Sequence, residues 1–130
     1  MSNMDKLSSL YKQANSLNDE LPADIVKKLS LYGKILELLG GLWSASTKEW
    51  KLSESKRRST IATVYSLDPK GTGKDKEMKA EMAASEWRIA EAEGEAESLR
   101  WKNAFISTQE MIMILKKKYD HLQSVFKGGI

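Results

Sequence analysis

The chain has 130 residues, 41% hydrophobic and 30% charged, with a formal net charge of +3. That suits a single domain, and there is no run of 18 apolar residues to cross a membrane as a helix. Cysteine is absent and His121 is the only histidine. A disulfide framework, a thiolate metal site, a thiol nucleophile and a two-histidine metal centre are thereby excluded.

Met1-Ser2-Asn3-Met4-Asp5 carries no basic flank followed by an apolar core, so an intracellular location is expected. Met4, Leu7, Leu10 or Tyr11, Ala14 and Leu17 recur at spacings of three and four and predict a short amphipathic helix within residues 1–20. Pro22 opens a first arm over residues 23–67. Ile25, Val26, Leu29, Tyr32, Ile35, Leu36 and Leu39 keep helical spacing up to Gly40-Gly41, a glycine pair that reads as a C-cap or a kink, and the arm is expected to break there. The pattern resumes with Trp43, Trp50, Arg57, Ile61 and Val64, largely on a seven-residue interval. Residues 68–74, from Asp68-Pro69 to Gly73-Lys74, hold the breakers of a tight reversal. From 75 to 126 the chain is rich in Ala, Glu, Lys, Met and Leu and predicts one helix of ~50 residues, with Gly94 as its weak point.

The expected fold is therefore all-α: a long helical hairpin with one very long C-terminal helix, coiled-coil-like packing, and burial completed by oligomerisation. A bend at Pro69 to Gly73 would put Trp50 opposite Ala92 and Trp43 opposite Leu99. The alanines at 80, 83, 84, 90, 92 and 96, with Gly94, would then receive the indoles. The run Met111-Ile112-Met113-Ile114-Leu115 leaves no polar face and should be buried all round, by segment 23–39, the first helix or a neighbouring subunit. Trp43, Trp50, Trp87, Trp101, Met111, Ile112, Ile114 and Leu115 are the candidate core and oligomer residues.

Charge is unevenly placed. Residues 1–47 are balanced, 48–79 hold nine bases against five acids, 80–99 one base against six acids, and 100–130 six bases against two acids. Two basic zones thus flank an acidic one, which bears on partners more than on fold. In the first zone Lys48, Lys51, Lys56, Arg57 and Arg58 share an arm with Trp50, and Lys70, Lys74, Lys76 and Lys79 surround the turn. Lys and Arg beside aromatics can form the backbone-tracking groove of a single-strand binder; equally, they can solvate a hairpin. The tryptophans divide in the same way, between packing anchors and base-stacking surfaces. Gly71-Thr72-Gly73-Lys74 lacks the preceding strand and the following hydroxyl of a phosphate loop and reads as a turn. The acids Glu91, Glu93, Glu95 and Glu97, spaced by two, point in different directions around a helix and cannot share a cation. No nucleophile, metal set or acid–base pair converges, so neither an enzyme nor a cofactor is expected.

The order of features resembles a family. A tryptophan-bearing arm, Ser55-Lys56-Arg57-Arg58, then Val64-Tyr65 before a Gly/Lys turn, and a long helix with Arg100-Trp101 are similar over residues 31–127 to the UvsY-like recombination mediators of phages. Residues 98–116, SLRWKNAFISTQEMIMILK, also resemble small helical proteins of phage recombination and replication modules. The resemblance implies a non-catalytic homo-oligomer, ring-shaped in that family, in the cytoplasm of a bacterial host. It would bind single-stranded DNA and help a recombinase displace single-strand-binding protein. The family's basic patch maps to Lys56, Arg57 and Arg58, whereas the helix before Pro22 has no counterpart. Nucleic-acid contact is thus expected at Lys48, Lys51, Lys56, Arg57, Arg58, Lys70, Lys74 and Lys76.

Two other readings stand beside it. One is a helical inhibitor of a host nuclease or defence enzyme, presenting Glu81, Glu86, Glu93 and Glu97 as a nucleic-acid mimic. The other is a coiled-coil scaffold without a ligand.

Overall fold

A computed structural model of the protein describes residues 1–67 and 70–128. Four helices, α1 (Asn3–Asn15), α2 (Pro22–Ser66), α3 (Gly73–Ala83) and α4 (Ser85–Gly128), account for most of the chain, and no strand occurs among the described residues. Asp68 and Pro69 of the expected turn lie outside the described residues.

Local chemistry sets the helix ends. At the start of α1 the Ser2 hydroxyl accepts from the Asp5 N–H at 3.1 Å, while the Asp5 carboxylate accepts from the Ser2 N–H at 3.4 Å. This reciprocal box satisfies amides that the helix itself cannot. Pro22 occupies the first position of α2, where its missing N–H is harmless. Just beyond it the Asp24 carboxylate accepts from the Asn18 N–H at 2.9 Å and so fixes the connection from α1. Thr72 caps α3 by accepting from the Asp75 N–H at 3.2 Å.

Two expectations about continuity are corrected. The expected break at Gly40-Gly41 does not occur: α2 runs through both for 45 residues, and neither glycine has a positive φ. A Cβ at Gly40 would meet the Phe105 ring at 3.4 Å, an ordinary packing contact, so the space around it does not demand glycine. The single C-terminal helix is instead interrupted at Ala84 (φ −92°, ψ 0°), which separates α3 from the 44 residues of α4. The interruption is shallow. Ala84 N–H still reaches the Ala80 carbonyl, and Arg88 N–H the Ala84 carbonyl, each at 3.0 Å. Beside it the Ser85 hydroxyl donates to the Met82 carbonyl at 2.9 Å, a side-chain bond that competes with regular helix geometry.

The chain forms two compact units. The first joins Met1–Gly41 to the chain from Trp101 onward, so that α1, the start of α2 and most of α4 pack together. Its core follows seven-residue steps on each helix: Leu7 and Ala14; Ile25, Tyr32 and Leu39, with Ile35; and Trp101, Thr108 and Leu115. Ile25, Ile35 and Leu39 are 0% exposed, each worth about 1.5–3 kcal/mol of burial. The Thr108 hydroxyl is satisfied by donating to the Ala104 carbonyl at 2.8 Å. Lys118 pairs with Glu20 at 2.7 Å and Lys28 with Asp19, tying the ends of this unit.

Within the run 111–115, only Leu115 is buried and Ile112 is half-buried. Met111, Met113 and Ile114 are exposed, so the chain by itself does not cover this segment all round as expected. A helix packed on one side leaves its opposite face to solvent whatever the composition.

The second unit, Leu42–Arg100, pairs the rest of α2 with α3 and the start of α4. Its buried residues are small: Ser53, Ala80, Ala84 and Ser98. Trp50 faces Gly94, two positions beyond the expected Ala92, and a Cβ at Gly94 would lie 2.9 Å from the Trp50 Cα. Gly94 therefore permits backbone contact between α2 and α4 and is a requirement of the packing. Thr47 and Ser98 share a hydrogen bond at 2.7 Å, and Leu99, expected opposite Trp43, is 48% exposed. Nearer the turn, Lys76 Nζ lies 5.3 Å from the centroid of the Tyr65 ring. Ala83, Ala92 and Ala96 are exposed.

Candidate nucleic-acid interface

The basic residues of the arm fall on different sides of α2. Residues two apart on a helix point ~200° apart, so Lys56 and Arg58 occupy opposite flanks. Lys56 Nζ lies 4.6 Å from the centroid of Trp87. Arg57, between them, faces the seam of the second unit. Its Nε donates to Glu91 Oε2 at 2.5 Å and its Nη2 to Oε1 at 3.5 Å, with both side chains about four-fifths buried. The stretch Lys56-Arg57-Arg58 expected as one patch is therefore three separate environments, and Arg57 is a packing residue tied to an acid.

A different grouping emerges. Lys51, Arg58 and Tyr65 stand seven residues apart, about 10.5 Å per step, and share one flank of α2. Lys51 and Arg58 are 59% and 70% exposed, and Tyr65 is 40% exposed. Toward the Tyr65 end of this flank an open groove of about 580 Å³ is lined by Arg57, Arg58, Ile61, Ala62, Tyr65 and Ser66. Lys76 from α3 adds a charge 5.3 Å from the Tyr65 ring. Lys48 is exposed on the outer side of α2, and Lys70 and Lys74 are exposed around the turn.

Glu54 sits within the stripe. Its carboxylate accepts from Lys51 Nζ at 3.3 Å and pairs with Arg58 Nη2 at 2.8 Å, and its side chain is only 20% exposed. The hydrogen bond from Lys51, reinforced by the charges of Lys51, Arg58 and Arg57, holds the Glu54 carboxyl below its ordinary value against the opposing effect of burial. Sequence reasoning assigned no role to Glu54 or Tyr65 as site residues. The seven-residue recurrence of Lys51, Arg58 and Tyr65 was the signal that could have found the tyrosine.

The candidate packing residues also divide. Trp101 and Leu115 belong to the core of the first unit; Trp43, Trp50, Trp87 and Ile112 are half-buried; Met111 and Ile114 are exposed. The acidic zone is partly neutralised from within the chain, since Glu81 is held by Arg88 at 2.6 and 2.7 Å and Glu97 lies 3.5 Å from Arg100. Glu86 and Glu93 are exposed. His121 is exposed as well. Among the described residues no three His, Cys, Asp or Glu side chains are grouped as a metal site would need, and no helix is long and apolar enough to cross a membrane.

Comparison with protein-family models, with curated proteins and with solved structures finds no match to this chain. What fold and site define is thus an all-α protein carrying a basic–aromatic stripe on its second helix.

Proposed function

We propose that the protein is a non-catalytic, homo-oligomeric accessory factor of DNA recombination that binds single-stranded DNA along α2. One observation carries this: Lys51, Arg58 and Tyr65 line one flank beside an apolar groove, with Lys76 leaning over the tyrosine. Exposed cations at regular intervals suit a phosphodiester backbone, and a half-exposed ring beside an apolar floor suits an unstacked base. Base stacking is sequence-tolerant, so the expected ligand is any single strand. Lys48, Lys70 and Lys74 extend the positive surface. Lys56, over Trp87 on the other flank, lies outside the stripe.

A recombinase and a single-strand-binding protein as partners, and the phage setting, follow from the resemblance to UvsY-like mediators. Self-association is supported by the exposed Met111, Met113 and Ile114 of α4, apolar surface that a second copy would cover.

The test is a salt titration of binding to a fluorescent single-stranded oligonucleotide, with solution mass determined with and without it. Affinity is expected to fall linearly with salt on logarithmic axes, and the Lys51→Ala/Arg58→Ala variant to lose ~0.7 of slope for each contact removed. A parent that does not bind, or a variant with the parental slope, would refute the strand-binding reading. A concentration-independent monomer would refute the oligomeric one.

A further inference from the structure

We infer that Glu54 is a built-in counterion of the strand-binding stripe, which an incoming phosphodiester displaces from Lys51 and Arg58. The inference rests on the strand-binding reading above and concerns the regulation of that same surface.

Glu54 is three residues after Lys51 and four before Arg58, the two separations that bring helix side chains together. Its carboxylate spends one oxygen on each cation: Oε2 on Lys51 at 3.3 Å and Oε1 on Arg58 at 2.8 Å. An anion is thus already lodged between the two exposed cations of the stripe. The cations are more than half exposed while the acid is largely covered, so a ligand reaches the positive groups before it meets the negative one. A phosphate oxygen can replace each carboxylate oxygen with a charge-assisted bond of the same kind.

Three consequences follow. In the free protein Lys51 and Arg58 are held in place along the flank instead of waving in solvent, which lowers the ordering cost of binding. The free stripe carries less net positive charge than its cations suggest, so weak or isolated anions do not occupy it. A polyanion that engages Lys51, Arg58, Lys76 and Lys48 together gains enough to displace the carboxylate, whereas a single phosphate does not. Glu54 thereby favours strands over small anions.

Glu54→Gln keeps the shape and removes the charge. Glu49→Gln, an exposed acid on another side of α2, makes the same charge change away from the stripe. Binding of a single-stranded oligonucleotide and of inorganic pyrophosphate is measured for the parent and both variants across a salt series, with thermal unfolding to confirm the folded state. Glu54→Gln is expected to tighten the oligonucleotide about fivefold at low salt, the equilibrium equivalent of removing one adjacent opposing charge. Its salt slope should steepen by ~0.7 for each cation released. Glu49→Gln should shift binding much less. Pyrophosphate should bind detectably only to Glu54→Gln.

In the Lys51→Ala/Arg58→Ala background the gain should vanish. If the parent binds the oligonucleotide and Glu54→Gln binds it with equal affinity and slope, the counterion role is overturned while the strand-binding reading stands. The counterion role is likewise overturned if Glu49→Gln gives the same gain, or if the gain persists without Lys51 and Arg58. If neither parent nor variant binds, both fall together.

Discussion

The two units of the molecule are held together by opposite means. In the first, buried side chains on three helices recur every seven residues, most of them large and apolar, and Ile25, Ile35 and Leu39 are fully covered. In the second, nothing larger than alanine or serine is buried among the described residues. Contact there comes from a glycine that admits a tryptophan backbone, from a Thr47–Ser98 hydrogen bond and from an Arg57–Glu91 pair. Apolar burial is non-directional and strong, whereas hydrogen bonds and ion pairs give modest net stability but fix geometry. The first unit therefore supplies most of the stability, and the second holds α2 in a defined register while leaving its outer flanks free. The basic–aromatic stripe lies on the unit with the smaller core, where exposed side chains are not needed for folding.

The comparison breaks most sharply at Leu39. Leu39→Ala removes a side chain with no exposure and leaves a cavity, which should cost about 2–5 kcal/mol in denaturant unfolding. No alanine substitution at an exposed residue of the stripe should approach that loss, because exposed Lys and Arg contribute little to stability.

A smaller effect, with opposite signs at two sites, separates the units further. Gly→Ala inside a helix ordinarily gains up to ~1 kcal/mol. At Gly41 the new Cβ would meet open space, so Gly41→Ala should raise the melting temperature. At Gly94 it would lie 2.9 Å from the Trp50 Cα and 3.1 Å from its amide nitrogen. Backbone atoms cannot swing aside as a flexible side chain can, so the helices must separate at about 1–3 kcal/mol, and Gly94→Ala should lower the melting temperature. A Gly94→Ala variant as stable as the parent would show that α2 and α4 do not meet as closely as described.

The glycines also mark where the sequence was readable. Helical spacing alone placed the helices, because Pro22 and the Gly71–Gly73 turn coincide with real boundaries. It could not separate Gly40-Gly41 from a true break, since a glycine pair that ends a helix and one carried inside a continuing helix look alike in sequence. It could not find the interruption at Ala84 either, where alanine, methionine and glutamate all favour helix and a lone serine hydroxyl bonds backward to the Met82 carbonyl. For the candidate site, charge density singled out the arm that carries the stripe. Contiguity in sequence then misled, because Lys56, Arg57 and Arg58 are neighbours in the chain and not on the helix surface. The stripe was legible only as a seven-residue recurrence, and the place of Glu54 within it required the side-chain contacts.

The smallest expected effect concerns the α3–α4 junction, where the second unit relies on charge outside its seam. Arg88 grips both oxygens of Glu81 across the interruption at Ala84, with both side chains about half exposed. The hydrogen bond from Arg88, more than its charge at a distance, holds the Glu81 carboxyl below its ordinary value of 4.5, while partial desolvation works the other way. A carboxyl whose pKa is lower in the folded than in the unfolded chain binds fewer protons when folded. Its extra stability is therefore present above about pH 4.5 and is lost as the pH falls through the lowered folded value. Glu54, lowered by Lys51, contributes with the same sign, so the whole protein should lose stability on the acid side. The junction's share is isolated by comparison with Arg88→Ala. At pH 7 the variant should melt slightly below the parent; as the pH is lowered past 4.5 the two melting temperatures should converge. Because the pair is exposed, high salt at neutral pH should narrow the same gap. A gap that persists unchanged into acid would mean that Arg88 stabilises the junction through its packed methylenes and not through Glu81.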